Sequence, residues 1–95
     1  MAYRSSGDLT SPDEGFAKTC DLYLASFLVT AGCKTVKNQT DNRRVYFYFD
    51  NKDGMVDRLK TDYMTRNAMV NALSYADNVK ALKSLCAELM NNSRR

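Results

Sequence analysis

The residues of this sequence with the most evident chemistry lie close together: Lys34, Lys37, Arg43, Arg44, Tyr46 and Tyr48. Four of them belong to the run Arg43-Arg-Val-Tyr-Phe-Tyr-Phe49, which after its two arginines is β-branched or aromatic throughout, the composition of a strand. Strand alternation puts Val45, Phe47 and Phe49 on one face and Arg44, Tyr46 and Tyr48 on the other. Tyrosines on a sheet face, framed by lysine and arginine, suit single-stranded nucleic acid. Rings stack on bases, for roughly 1–3 kcal/mol each, while cations neutralise phosphates. Within residues 33–44 only Asp41 opposes the four cations, a local excess of three positive charges. The same side chains also suit a protein contact, and a charged hairpin is a common guard against edge pairing. The run lacks the glycine of the RNP1 motif.

Catalytic and metal chemistries have less support. Histidine is absent, which removes His-based triads, Cys2His2 zinc sites and the commonest general base. Cys20, Cys33 and Cys86 are odd in number, widely spaced and form no Cys-x-x-Cys pair. They are expected to be reduced thiols acting as small buried hydrophobes. Asp50-Asn-Lys-Asp-Gly54 departs from calcium-loop spacing and lacks the distal glutamate, whereas an N-cap at a strand-to-helix turn accounts for it. Asp50, Asp53 and Asp57 have no basic catalytic partner in view, and Gly7, Gly15, Gly32 and Gly54 are too isolated for a phosphate loop. The expectation is a protein without enzymatic activity, cofactor or metal.

The chain has 95 residues, 44% of them apolar and 26% charged, with a net charge of +3. That describes one small domain, too short for two cores. No apolar run approaches the roughly 18 residues of a membrane span. The N-terminus has no apolar signal segment, so a cytoplasmic protein with no membrane partner is expected. Residues 1–18, rich in Ser, Gly and Asp and holding the only proline, read as a flexible tail.

The elements that must position the hairpin follow from spacing. Asp21 to Ala31 is apolar nearly all round, the pattern of a buried helix, with Thr19 or Asp21 as its cap and Gly32 to end it. Cys33–Lys37 reads as a short strand, Asn38–Asn42 as a five-residue turn, and Arg43–Phe49 as the partner strand. Met55, Val56, Leu59 and Tyr63 have helical spacing after a cap at Asn51 or Asp53. A third helix over about 72–90 carries a stripe of Ala72, Ala76, Val79, Leu82, Cys86 and Leu89, flanked by Tyr75 and Met90. The fold expected is an α+β single domain over residues 19–91, helix–β-hairpin–helix–helix, with the helices on one face of the antiparallel hairpin and residues 92–95 frayed.

The run Asp21-Leu-Tyr-Leu-Ala-Ser-Phe-Leu up to Gly32, followed by Arg44-Val-Tyr-Phe-Tyr-Phe-Asp50, resembles a family of small bacterial and phage proteins of unknown function. Those proteins carry a DLYLAAFLL…G helix and then an RVYFVF strand. The resemblance covers residues 19–90. Here Cys33 stands where an aromatic is expected, and the segment Asn38–Asn42 is longer or more polar. The resemblance implies a phage or mobile-element setting but no catalytic residues.

Two functions are expected from these readings. One is an accessory protein binding nucleic acid through Lys34, Lys37, Arg43, Arg44, Tyr46 and Tyr48. The other is an inhibitor of a host defence or nucleic-acid-handling protein complex, of anti-CRISPR type. Because inhibitors that mimic DNA are acidic and this chain is basic, such an inhibitor would occupy a protein surface. The open edges of a small sheet and the stripe of the third helix also favour a homodimer, and a structural homo-oligomer with no specific ligand is the remaining alternative.

Overall fold

The computed structural model describes residues 15–51 and 53–93. The chain runs β1 (Phe16–Thr19), α1 (Leu22–Thr30), β2 (Thr35–Asp41), β3 (Arg44–Asp50), α2 (Met55–Met64) and α3 (Ala72–Ser93). The three strands form one antiparallel sheet in the order β1-β3-β2. The molecule measures 39 × 36 × 20 Å. Its short dimension matches one sheet plus one helix layer, each about 10 Å thick.

The α+β class stands, with one strand more than the hairpin expected. Residues 16–18 are not tail: Phe16–Thr19 pairs with β3, placing Ala17 opposite Phe49 and Thr19 opposite Phe47. Ala17 and Thr19 are buried while Lys18 is half-buried and Phe16 exposed, the period of two that marks a strand. The reading of residues 1–14 as tail lies outside the described residues.

The turn of the hairpin also differs. Asn38–Asp41 belongs to β2, and the connection is only Asn42–Arg43. Both have positive φ, 57° and 72°, which a type I′ turn requires because its twist matches that of the flanking strands. Asparagine tolerates this conformation and arginine does so at some cost. A register shift between Thr35 and Lys37 accommodates Val36.

Helix α1 begins at Asp21, whose Oδ1 accepts hydrogen bonds from the backbone N–H of Tyr23 at 3.0 Å and of Leu24 at 3.2 Å. It ends in a Schellman motif. Gly32, at φ 101°, donates to the Val29 carbonyl, and the Cys33 N–H reaches back to the Leu28 carbonyl. Five successive residues, Leu24 to Phe27 and then Leu28, are buried, as the all-round apolar pattern requires. Ser26 survives there by donating its hydroxyl to the Leu22 carbonyl at 2.8 Å.

The N-cap position of α2 is Gly54, at φ 75° and without a side chain to cap, rather than Asn51 or Asp53, yet both of those residues accept from the first turn. The Asp53 carboxylate accepts from the Met55 N–H, and the buried Asn51 side chain accepts from the Val56 N–H at 2.9 Å. Asn71 caps α3 by accepting from the Ser74 N–H at 2.8 Å. Helix α3 extends to Ser93, so residues 92–93, expected to fray, are helical in the backbone. Its packed side is Tyr75, Leu82, Leu85, Cys86, Leu89 and Met90, whereas Ala72 and Ala76 of the expected stripe are exposed. Asn78 ties α3 to α1 by donating to Thr30 Oγ1 at 2.9 Å.

The core lies between sheet and helices: Ala17, Leu24, Ala25, Phe27, Leu28, Val45, Phe47, Phe49 and Val56. Full burial of each phenylalanine contributes about 1.5–3 kcal/mol. Every helix packs its apolar side on this core, so all three lie on the face of β3 that carries Val45, Phe47 and Phe49.

Candidate nucleic-acid interface

The face of the sheet away from the helices is set by register. Strand β3 is central, and Tyr46 and Tyr48 point opposite to its buried residues. Lys18 of β1 and Lys37 of β2 both lie directly opposite Tyr48, so Lys18, Tyr48 and Lys37 form one row across the three strands. Gln39 lies opposite Tyr46, and Asp41 opposite Arg44. Directly opposed residues share a face. The face therefore carries two tyrosines, three cations and Gln39, with Asp41 beside Arg44 and, at the far end, Asp50 opposite the exposed Phe16.

The lysines rest on the rings. Lys37 Nζ is 4.7 Å from the Tyr48 ring centroid. Lys18 Nζ is 4.9 Å from the Tyr46 centroid and 5.8 Å from that of Tyr48, so it bridges the pair. Exposed cation–π contacts contribute about 0.5–1 kcal/mol each. A base stacked on an aromatic ring gains roughly 1–3 kcal/mol, comparable to or larger than such ammonium contacts.

The structure brings Lys37, Arg44, Tyr46 and Tyr48 together and separates two of the expected residues from them. Arg43 sits in the turn, beyond the end of the face. Lys34 precedes β2 at the other end of the hairpin, where its carbonyl accepts from the Asp50 N–H at 3.1 Å. It lines a shallow depression with Cys33, Asp50, Asp53 and Met55, beside acidic rather than aromatic neighbours. Arg44 extends toward the β1 side, with Nη1 3.8 Å from Cys20 Sγ.

Sequence reasoning missed Lys18 and Gln39. Lys18 stood at the edge of a polar stretch, and the signal that could have found it is the brief alternation of Phe16-Ala-Lys-Thr19 after Gly15. Gln39 was hidden in a segment with turn composition, because Asn and Asp favour turns by local hydrogen bonding that a ladder can override.

The thiols are of a different character. Burial pushes the Cys33 thiol up, and the nearby Asp53 charge adds to the shift. Burial does the same to Cys86. A raised thiol pKa leaves less thiolate, the form that attacks and binds metals. Among the described residues no three Cys, Asp or Glu side chains are grouped to hold a metal ion, and no described helix is long and apolar enough to cross a membrane.

These features define a two-layer α+β domain with an aromatic, basic outer sheet face. The chain belongs to the DUF5659 family, a domain of unknown function whose model matches residues 15–88. That span takes in all three strands, α1, α2 and most of α3, so the face just described lies wholly within the family domain. Neither a curated protein nor a solved structure matches the chain.

Proposed function

We propose that this protein is a non-enzymatic accessory protein that binds nucleic acid on the outer face of its sheet. The observation that carries the reading is the row Lys18–Tyr48–Lys37, with Tyr46 beside it: two rings and two ammonium groups on one face of the sheet. Stacking supplies affinity without sequence preference, and the lysines supply phosphate contacts. The raised thiols of Cys33 and Cys86 make these two side chains poor nucleophiles. The resemblance to small bacterial and phage proteins supports a phage or mobile-element setting and a place in the host cytoplasm.

The test is fluorescence anisotropy with labelled oligonucleotides in low salt. Replacing Lys18→Glu together with Lys37→Glu should abolish binding, whereas Arg43→Glu, at the turn, should weaken it less. A double variant that is folded by circular dichroism and binds like the parent protein would sink the proposal.

A second reading, an inhibitor directed at a host protein complex, is favoured by apolar side chains on the helix layer. Met69 is 92% exposed, Leu73 72% and Met64 63%, all near the α2–α3 connection. Binding by the parent protein to no oligonucleotide in low salt would favour this reading, and Met69→Lys would then weaken the protein contact.

A further inference from the structure

We infer that the strand received on this face is single, with two successive bases unstacked and placed one on Tyr46 and one on Tyr48. The inference rests on the nucleic-acid reading above and adds the class of ligand.

The spacing argues for it. Tyr46 and Tyr48 are two residues apart on one strand, which sets their attachment points roughly 6.5 Å apart at a rise of about 3.3 Å per residue. Bases in a duplex follow one another at about half that interval along each strand. A base can meet each ring only when the two are parted from one another. Duplex bases also have both π-faces covered by neighbours, whereas those of a single strand can be splayed open and laid on aromatic side chains.

The shape argues the same way. Both rings rise from the central strand of three, with β1 and β2 on either side. The major groove of a duplex admits a helix or a two-stranded ribbon. A three-stranded face is broader than that ribbon, so rings at its middle stand away from the base edges of an undistorted duplex.

The cations complete the fit. Lys18 and Lys37 flank the tyrosines from the two outer strands, where the phosphates of a strand crossing the rings would pass. Asp41, opposite Arg44, and Asp50, at the opposite end of β3, oppose a longer phosphate track. Two phosphate contacts on a single strand predict a slope of log affinity against log salt of about −1.4. Gln39, in register with Tyr46, supplies an amide beside the first base.

The test measures anisotropy of the whole chain with a labelled oligodeoxythymidine, an oligouridine and a mixed-sequence DNA duplex of equal length. At least one single strand should bind about tenfold or more tightly than the duplex. Tyr46→Leu and Tyr48→Leu should each weaken that binding by at least about fivefold, the lower end of a stacking contact. Tyr48→Phe, which keeps the ring, should bind like the parent protein. A thymidine or a uridine preference would tell DNA from RNA, and either supports the inference. Duplex binding as tight as single-strand binding, or folded leucine variants that bind unchanged, would overturn the single-strand inference while leaving nucleic-acid binding itself in place. Binding to none of the three probes in low salt would remove both.

Discussion

On the inner face of β3, Val45, Phe47 and Phe49 are 7%, 1% and 0% exposed. On the outer face of the same strand, Tyr46 and Tyr48 remain half-buried under Lys18 and Lys37. Both faces are aromatic, and the difference is one of polarity. A phenylalanine ring has no hydrogen-bonding group and can be sealed under helices without loss. A tyrosine hydroxyl needs a partner or water, which an open sheet face provides. Strand alternation thus lets one seven-residue segment hold the fold with its inward side chains and leave the remaining rings on the open face.

Substitution separates the two roles, and the largest effect should come from the inner face. Phe47→Ala should destabilise the fold by about 3–5 kcal/mol, a large part of the roughly 5–15 kcal/mol available to a domain. Urea unfolding would measure it. On the outer face, Tyr48→Ala should change stability by less than about 1 kcal/mol, as surface substitutions do, while reducing oligonucleotide binding. Equal losses of stability from the two variants would mean that the outer face is structural, and the contrast would be lost.

An intermediate effect should come from the junction at the end of β3. Asn51 is 2% exposed, and its side chain accepts from Val56 N–H and donates to Asp57 at 3.3 Å. Asn51→Ala leaves a buried N–H without its acceptor and should cost about 1–3 kcal/mol. Thermal unfolding of this variant should fall between those of the two ring variants, with binding to oligonucleotides intact below its transition.

The smallest effect is a dependence on alkaline pH. Burial raises the pKa of Cys33, Cys86, Tyr63 and Tyr75, with the Asp21 charge adding to the shift at both tyrosines. Each group holds its proton more tightly in the folded state. The stability it contributes is therefore complete below the ordinary value, 9.0 for the thiols and 10.0 for the tyrosines, and is lost as pH rises through that value toward the folded one. The Tm should be level up to about pH 8.5 and decline above about pH 9. None of the four is among the paired residues of the outer face.

Much of this contrast was legible in the chain. The alternation Val45-Tyr-Phe-Tyr-Phe49 states which rings go in and which stay out, because a strand has a period of two whatever it packs against. The all-round apolar run from Leu22 and the Asp21 cap mark α1 in the same local way, and Gly32 marks its end. Other features depended on partners far along the chain. Phe16–Thr19 is too short to declare itself and becomes a strand only when β3 offers it a ladder. Asn38–Asp41, turn-like by composition, is drawn into β2 because pairing with β3 satisfies its backbone, and the turn then shrinks to Asn42–Arg43.

The candidate site shares that division. From the sequence alone came the elements of the helix layer, the two faces of β3, and the tyrosines and cations of the hairpin, all fixed by local periodicity and side-chain type. Only the tertiary structure decided which cations stand beside the rings. Lys18, distant in sequence, is carried to Tyr46 and Tyr48 by β1, while Lys34 and Arg43, near in sequence, fall at the two ends of the hairpin. Register between strands is settled by pairing and by the burial of Ala17, Thr19 and Phe47 against one another, and no stretch of sequence read by itself contains that information.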